Sequence, residues 1–295
     1  MMEKVIHADG FLAALDQSGG STPKALRGYG ISDELYEEGS TSMFDMVHEM
    51  RSRIVTSPSF TGDRVLGAIL FENTMDRLIE DKPTTKYLWQ EKNVVPFLKI
   101  DKGLMAEENG VQLMKPLDET LESLLKRAKD EHGVFGTKMR SLIKSHNVKG
   151  IEAIVTQQFQ VGKRIIEAGL VPILEPEIDI SSPDKLECEQ TLKACILKHL
   201  DGLDESQKII LKVSLPCEEN FYQECIEHPN CLRVVALSGG FSREDANIML
   251  GKQNQMIASY SRALTEGLQY DMSDEVFDRV LDESINSIFE ASKSQ

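Results

Sequence analysis

Lysine residues embedded in apolar sequence are the first group that could carry chemistry. Lys212 lies in Ile209-Ile-Leu-Lys-Val213, and Lys99 and Lys138 also follow short apolar runs. Burial and a neighbouring ammonium both lower a lysine pKa, and the neutral amine that results attacks carbonyl groups. The alternative is an ion pair across the interior of the fold, which would keep such a lysine charged. The pattern leaves both interpretations open and does not choose among the three lysines.

Two carboxylates lie close together in the apolar segment Pro172-Ile-Leu-Glu-Pro-Glu-Ile178. Side chains alternate along a strand, so Glu175 and Glu177 would project from the same face. Two neighbouring carboxylates among lysines can hold different protonation states and act as acid and base. The alternative is that both only neutralise the lysines.

The segment Ser238-Gly239-Gly240 could hold an anion. It precedes Ser242, which has with Asp245 the spacing of a capping box at the start of a helix. Glycines just before a helix let backbone N–H groups approach an anion, and Arg262 could add a bidentate charge. A plain tight turn is the alternative.

Histidine and cysteine patterns argue against a metal site. The six histidines include no His-x-x-x-His pair, so a zinc site built on histidines is not expected. The five cysteines lack metal-binding spacing, and their odd number favours free thiols in a reducing cytoplasm.

The overall charge excludes two classes of partner. The 295 residues carry 33 basic and 48 acidic side chains, a formal net charge of −15. Nucleic acid and anionic membrane surfaces attract a basic face, so neither is an expected partner. No run approaches the roughly 18 apolar residues of a membrane span, and the start of the chain lacks a signal-peptide pattern. We therefore expect a globular cytoplasmic protein.

Eight short apolar runs must position these groups. Their content of Val, Ile and Leu is typical of strands buried on both faces of a parallel sheet. Between them, apolar residues repeat at spacings of three and four, which predicts helices. A last repeat over residues 276–288 predicts a C-terminal helical tail. The runs are Phe11–Leu15, Val65–Phe71, Val94–Leu98, Val134–Gly136, Leu170–Leu174, Ile209–Leu211, Leu232–Leu237 and Met256–Ala258.

Eight strands alternating with helices predict a single α/β domain over residues 1–295, a (β/α)8 TIM barrel with a C-terminal helical tail. An open doubly wound sheet is the alternative, but the Gly-x-Gly-x-x-Gly signature is absent. Polar side chains follow all eight runs, and barrel enzymes place catalytic groups at the C-terminal ends of their strands. Phosphate sites of barrels lie after strands seven and eight, where Ser238 and Arg262 stand.

Seven segments between about residue 10 and residue 265 resemble, in order and spacing, the class I fructose-bisphosphate aldolases. The length and the form Gly-Thr-Lys-Met-Arg resemble the shorter bacterial-type branch. The segments are Ala14-Leu-Asp-Gln-Ser-Gly-Gly-Ser21, Phe97-Leu-Lys-Ile-Asp-Lys-Gly103, Gly136-Thr-Lys-Met-Arg140, Pro172-Ile-Leu-Glu-Pro-Glu-Ile178, Leu211-Lys212, Leu237-Ser-Gly-Gly240 and Ser259-Tyr-Ser-Arg-Ala-Leu264.

The resemblance implies a metal-free, cofactor-free Schiff-base cleavage of fructose 1,6-bisphosphate to dihydroxyacetone phosphate and glyceraldehyde 3-phosphate in glycolysis and gluconeogenesis. By motif position, Lys212 is the Schiff-base lysine, Glu175 exchanges protons around the carbinolamine, and Asp16 acts on the C4 hydroxyl. Lys138 and Glu177 tune the Lys212–Glu175 pair. The implied phosphate-binding residues are Ser238, Gly239, Gly240 and Arg262 at one end, and Ser18, Ser21, Lys99 and Arg140 at the other.

Local sequence supports this choice of lysine. Lys212 follows three apolar residues and precedes Val213, which predicts the most enclosed setting of the three lysines. Lys138 has Arg140 two residues on, on the same face of a strand, which suits a supporting role. Lys99 has Asp101 two residues on, which suits phosphate binding.

Two features depart from the animal-type enzymes. Those end in a tyrosine implicated in proton exchange on the enamine, whereas this sequence ends Ser-Lys-Ser-Gln295, so the role would fall to Glu175 or another group. The Trp of their Lys-Trp-Arg motif is replaced by Met139 in this sequence.

The competing hypotheses are a Schiff-base aldolase for another sugar phosphate and a non-catalytic protein on an aldolase fold. Phosphate-binding groups on both sides of Lys212 favour the bisphosphate, and a homo-oligomer is left open.

Overall fold

A computed structural model describes residues 1–293. Its centre is a closed barrel of eight parallel strands, each paired with the next in chain order and the eighth paired with the first. The strands are β1 (Phe11–Leu15), β2 (Val65–Leu70), β3 (Val95–Lys99), β4 (Gly136–Ile143), β5 (Val171–Ile178), β6 (Ile209–Ser214), β7 (Cys231–Leu237) and β8 (Ile257–Tyr260).

A first helix precedes β1 and packs against the N-terminal end of the barrel, and the later helices follow the strands and cover its outside. They are α1 (Met2–His7), α2 (Ser21–Gly28), α3 (Thr41–Thr56), α4 (Glu72–Met75), α5 (Thr84–Gln90), α6 (Leu121–Asp130), α7 (Val148–Glu167), α8 (Lys185–Leu200), α9 (Gln223–Ile226), α10 (Arg243–Leu250), α11 (Arg262–Thr265) and α12 (Asp274–Ser292). The (β/α)8 prediction is confirmed, since each apolar run of the sequence overlaps one barrel strand and the apolar repeats fall on helices.

Two barrel strands extend beyond the apolar runs of the sequence and include functional residues. Strands β4 and β5 pair with each other along their whole length, from Gly136 opposite Val171 to Ile143 opposite Ile178, so both continue past the apolar runs of the sequence. Lys138, Glu175 and Lys212 therefore lie within strands, and not in the loops after them. A side chain on a hydrogen-bonded strand is held more rigidly than one on a loop.

Apolar side chains fill the N-terminal half of the barrel interior. Val95 and Val171, the first residues of β3 and β5, belong to a buried cluster that also contains Val5 of α1. Arg233 of β7 fastens this helix by donating hydrogen bonds to the carbonyl oxygens of Val5 (3.0 Å) and Ala8 (2.8 Å). With this end closed, the only half of the barrel open to polar side chains is the C-terminal one.

Helix α12, the predicted helical tail, packs against the barrel wall and α10 and α11. Phe277, Leu281, Ile285 and Ile288 form its buried face. Ser292 at its end accepts a hydrogen bond from the Ala258 amide of β8 at 3.1 Å. The apolar face of this helix is therefore used within the chain.

Short strands occur outside the barrel. Leu78–Ile79 and Lys82–Pro83 form an antiparallel pair, and Val111–Gln112 adds an antiparallel partner to the end of β4. Within residues 1–293, no helix is long and apolar enough to cross a membrane.

We expect the docking of α12 to contribute measurably to stability. Leu281→Ala should lower the free energy of unfolding by about 2–5 kcal/mol, because it leaves a cavity between α12 and the barrel. Glu283→Ala, at an exposed position of the same helix, should change it by no more than about 0.5 kcal/mol. Denaturant titration measures both, and equal effects would contradict the observed packing.

Candidate active site

The inward-facing side chains change from apolar to charged along the barrel axis. Alternate residues of a strand project to the same side, so on β5 the inward set passes from Ile173 to Glu175. On β6 it passes from Ile210 to Lys212, and on β1 Ala14 precedes Asp16. The charged groups therefore lie directly on an apolar floor.

The ammonium group of Lys138 bridges two carboxylates, one directly after β1 and one on β5. Its Nζ lies 2.6 Å from Asp16 Oδ2 and 2.9 Å from Glu175 Oε2. Burial lowers the pKa of Lys138, but the two carboxylates outweigh burial and raise this pKa above the ordinary value. Lys138 is therefore held protonated, and a protonated amine is not a nucleophile.

The same contacts keep the two carboxylates ionised. Burial alone raises the pKa of Asp16 and of Glu175, but the ammonium groups of Lys138 and Lys212 outweigh it and hold both pKa values below the ordinary range. Both groups are therefore proton acceptors at neutral pH, and both are buried.

Lys212 has a different set of neighbours from Lys138. Its Nζ lies 3.0 Å from Glu175 Oε1, and Glu175 is its only carboxylate within 4 Å in the described part of the chain. Lys138 and Lys212 are each 3% exposed, so the prediction that Lys212 is the most enclosed lysine is wrong. The number of carboxylates separates them, two for Lys138 and one for Lys212. Lys212 is thus the less strongly paired of the two lysines.

Lys99 and Asp101 form an ion pair beside this centre, as their spacing predicted. Lys99 Nζ lies 2.8 Å from Asp101 Oδ1 and donates a hydrogen bond to Ser18 Oγ at 3.0 Å. Lys99 stands opposite Lys138 in the register of β3 and β4. A cation and a hydroxyl are thereby placed together on one side of the charged centre.

Arg140 pairs with Glu177 on the neighbouring strand. Burial lowers the pKa of Arg140, but the Glu177 carboxylate outweighs burial and raises it. The positive charge of Arg140 also lowers the pKa of Glu175. The direct partner of Glu177 is therefore Arg140, and within residues 1–293 Glu177 does not come within 4 Å of the Lys212 ammonium.

The turn after β7 forms a concave backbone surface. Gly239 and Gly240 have φ angles of +62° and +122°, in the left-handed region that favours glycine. A Cβ atom on Gly239 would lie 2.6 Å from Ile180 Cγ2, and one on Gly240 would lie 3.4 Å from Arg262 Nη2. Within residues 1–293 neither glycine amide donates to a protein acceptor. Free amides beside a guanidinium form a suitable cradle for an anion.

Helix α10 begins immediately after this turn. Ser242 accepts a hydrogen bond from the Asp245 amide at 3.1 Å and donates one to the Asp245 carboxylate at 2.8 Å. The predicted helix start is confirmed, with its positive dipole end close to the glycines.

These groups line one cavity of about 560 Å³. It brings together all the site residues expected from the sequence except Gly240, which is adjacent to Arg262. The expected residues in its lining are Asp16, Ser18, Ser21, Lys99, Lys138, Arg140, Glu175, Glu177, Lys212, Ser238, Gly239 and Arg262.

The cavity also contains residues that sequence reasoning missed. Lys24, in the first turns of α2, lies in the lining near Ser21, and its place three residues after a Gly-Gly-Ser turn could have indicated it. Gln17 reaches Ser261 with a hydrogen bond of 2.7 Å. The Ser259 hydroxyl is buried and has no hydrogen-bond partner in the described residues. It is therefore available to a ligand.

The cavity is positively charged although the chain is acidic. Four cations and four carboxylates pair inside it, and their charges cancel: Lys138, Lys212, Lys99 and Arg140 against Asp16, Glu175, Asp101 and Glu177. Arg262 and Lys24 add two further positive charges. Among residues 1–293, no carboxylate lies within 4 Å of either group. The surplus favours an anionic ligand.

Comparisons with known proteins agree with this geometry. Residues 4–215 match the family model described as fructose-bisphosphate aldolase class-I. The chain is 56% identical over 291 residues to fructose-bisphosphate aldolase class 1 of Synechocystis sp., a match that covers 99% of this chain and 96% of that protein. Its fold is similar to fructose-bisphosphate aldolase of Plasmodium falciparum, solved in complex with TRAP and a small-molecule inhibitor. That match has a TM-score of 0.80 and 20% identity over 99% of this chain and 92% of the other.

The ion pairs of Asp16 give a testable pH dependence. Because the folded protein holds the pKa of Asp16 below its ordinary 3.8, the stabilisation from its carboxylate is present above about pH 5 and is lost as the pH falls through the lowered pKa. Relative to Asp16→Asn, the wild type should therefore be more stable at pH 7 than at pH 3. Denaturant titrations at both pH values measure this.

Asp271→Asn is the matched control, since Asp271 is exposed. Its stability difference from the wild type should be nearly the same at both pH values. A wild-type advantage over Asp16→Asn that stays constant from pH 7 to pH 3 would contradict the ionised, paired state of Asp16.

Proposed function

The chain belongs to the class I fructose-bisphosphate aldolase family, and we propose that it cleaves fructose 1,6-bisphosphate through a Schiff base on Lys212. The products are dihydroxyacetone phosphate and glyceraldehyde 3-phosphate, and the reaction is reversible. The enzyme is a lyase of glycolysis and gluconeogenesis.

One observation carries the proposal. Lys212 lies 3.0 Å from Glu175, and Lys138 holds that carboxylate and Asp16 together at 2.9 and 2.6 Å on the floor of the cavity. A potential nucleophile, a proton-exchanging carboxylate and a second carboxylate base are thus fixed around one space. This is the constellation that an amine-catalysed aldol cleavage requires.

The first half of the reaction uses Lys212 and Glu175. Glu175 accepts a proton from the Lys212 ammonium, and the neutral amine attacks the C2 carbonyl carbon to form a carbinolamine. Glu175 then returns the proton to the C2 hydroxyl, which leaves as water. The product is an iminium ion whose positive charge lies beside the regenerated Glu175 carboxylate.

The second half uses Asp16, which is ionised and is therefore suited to accept the proton of the C4 hydroxyl. As this proton leaves, the C4–O electrons form the aldehyde of glyceraldehyde 3-phosphate and the C3–C4 bond breaks. The electrons of that bond move toward the iminium nitrogen and give an enamine. Protonation of C3 and hydrolysis of the iminium release dihydroxyacetone phosphate. Lys138 stays protonated throughout and limits the repulsion between the two carboxylates.

The two ends of the cavity suit the two phosphates. Ser238, the Gly239 and Gly240 amides and Arg262 would bind one phosphate, since amides and a guanidinium without carboxylate partners are available there. The Lys99–Ser18 pair, with Ser21 and Arg140, would bind the other. Lys24 lies on the same side and extends this second group. A substrate with one phosphate would leave one of the two ends without a ligand.

We propose that turnover needs no metal or other cofactor. The iminium nitrogen accepts the electrons of the breaking bond, which is the role that a metal ion supplies in zinc-dependent aldolases. Glu175 is also the nearest carboxylate to Lys212 and is our candidate for proton exchange on the enamine.

Three further properties are part of the proposal. We propose that residues 1–295 form a single domain, of which Ser294 and Gln295 lie outside the described residues. We propose a cytoplasmic location, in keeping with glycolysis and with five free cysteines. A small sugar bisphosphate is the proposed partner, in preference to nucleic acid or a membrane, because the cavity lining carries surplus positive charge while the chain as a whole is acidic. A homo-oligomer stays a prediction.

The covalent intermediate can be located chemically. Borohydride reduction in the presence of dihydroxyacetone phosphate should add mass to the peptide that contains Lys212, detected by peptide mass mapping. Lys212→Arg should abolish both label and turnover, because a guanidinium does not become a neutral amine. Lys138→Arg, which keeps the positive charge, should still be labelled at Lys212. Label that persists in Lys212→Arg and maps to Lys138 would overturn the assignment.

The wild type should turn over at the same rate with and without excess EDTA, and a loss of activity that zinc restores would overturn the metal-free proposal.

Arg262 is expected to contribute to substrate binding more than to bond cleavage. Arg262→Ala should raise KM for fructose 1,6-bisphosphate roughly 30- to 150-fold, because a charge-assisted contact with phosphate is worth about 2–3 kcal/mol. The effect on kcat should be modest. Steady-state kinetics measures both, and an unchanged KM would remove Arg262 from the phosphate site.

A further inference from the structure

We propose that Arg51, on helix α3 outside the barrel, is a positioning residue that fixes the Asp16 side of the cavity relative to the Arg262 side. The inference rests on the proposed function, because it concerns the step that Asp16 carries out. Arg51 is 2% exposed and does not line the cavity, and nothing in its sequence context distinguishes it from other helix residues.

The guanidinium of Arg51 is connected to the site by short hydrogen bonds. It donates to the carbonyl oxygen of Gln17 at 2.6 Å and to the Gln17 side-chain oxygen at 3.0 Å. Its other terminal nitrogen donates to Thr74 Oγ1 of α4 at 2.6 Å. Both the backbone and the side chain of Gln17 are thereby fixed against two helices.

Gln17 extends these contacts to the opposite side of the cavity. It stands between Asp16 and Ser18, and its side-chain nitrogen Nε2 donates a hydrogen bond to Ser261 Oγ at 2.7 Å. Ser261 directly precedes Arg262. One chain of hydrogen bonds, Arg51–Gln17–Ser261, therefore joins the loop after β1, which contains Asp16, to the residue that directly precedes Arg262 at the start of α11.

The charge of Arg51 is unusual for a purely structural group. Within residues 1–293 no carboxylate lies within 4 Å of it, so a guanidinium is buried without a direct counter-ion, which is normally costly. Burial lowers the pKa of Arg51 to about 10, opposed by the charge of Asp16. Arg51 is thus still protonated at neutral pH and adds positive charge behind the Asp16 carboxylate. This position favours the ionised form of Asp16 that accepts the C4 proton.

The test separates Schiff-base formation from bond cleavage. Arg51→Met should lower kcat for fructose 1,6-bisphosphate cleavage about 10- to 100-fold, because a misplacement of about 1 Å at the base costs rates of that order. Borohydride trapping of dihydroxyacetone phosphate on Lys212 should stay within about twofold of the wild type, because Lys212 and Glu175 do not contact Arg51. Arg51→Lys should recover only part of kcat, since an ammonium does not reproduce the planar fork of donors.

Arg53→Met is the matched control. Arg53 lies two residues along α3 but donates to the Met272 carbonyl and to Asp274 at the start of α12. This variant should lower stability and leave the ratio of trapping to cleavage unchanged. If Arg51→Met lowers trapping and cleavage equally, or changes neither, the positioning role is wrong.

Ser261→Ala keeps the inference testable if Arg51→Met folds poorly. It removes only the last link of the chain and should lower kcat/KM by itself. In the Arg51→Lys background the additional loss should be smaller, because both changes break the same connection. Strictly additive losses would overturn the inference. The proposed function fails separately if the wild-type enzyme is not labelled at Lys212.

Discussion

The Lys138 ammonium, buried between Asp16 and Glu175, is the interaction on which the rest of the site depends. Each of these charges alone would cost several kcal/mol to bury and would change its protonation state. Placed together, the three groups keep one another charged, because the ammonium lowers the pKa of both carboxylates and the carboxylates raise the pKa of the ammonium. Three strands converge on this contact, so the closed barrel is needed to bring the groups together. The site is consequently assembled only when the barrel is complete.

The barrel interior makes this arrangement possible by dividing into two halves. The apolar half, closed by α1, excludes water below the charged groups and strengthens the interactions among them. The charged half balances its own carboxylates and leaves Arg262 and Lys24 as surplus positive charge. A chain with a net charge of −15 thereby presents a cationic cleft to a bisphosphate. The net charge of the chain argues against nucleic acid and anionic membranes as partners, whereas the positive charge of the cavity lining favours an anionic small molecule.

The fold was predictable from the sequence because its signals are local. Each barrel strand overlaps an apolar run, although β4 shares only Gly136 with its run, and each long helix has a repeat at spacings of three and four. Alternation along β5 also predicted that Glu175 and Glu177 share one face, and both side chains line the cavity. Partner choice was not predictable in the same way. Ion-pair partners depend on the register between strands that are far apart in sequence. This register pairs Glu177 with Arg140, and it gives Lys138 two carboxylate neighbours and Lys212 one. Arg51 was missed for the same reason, because its partners lie 23 and 34 residues away.

Lys138 and Lys212 illustrate how such register assigns chemistry to identical side chains. They are equally buried, so desolvation acts on both and does not by itself select a nucleophile. Lys138 faces two carboxylates and keeps its proton, whereas Lys212 faces one oxygen of a carboxylate that Lys138 already partly neutralises. In the proposed mechanism Lys212 gives its proton to Glu175, whose Oε1 lies 3.0 Å from Lys212 Nζ, and Glu175 returns that proton later. A shift of either strand by one residue would turn its lysine to the other face of the sheet and abolish the distinction. The pairing of the barrel strands thus sets the different carboxylate neighbours of the two lysines, on which the proposed assignment of Lys212 as the nucleophile rests.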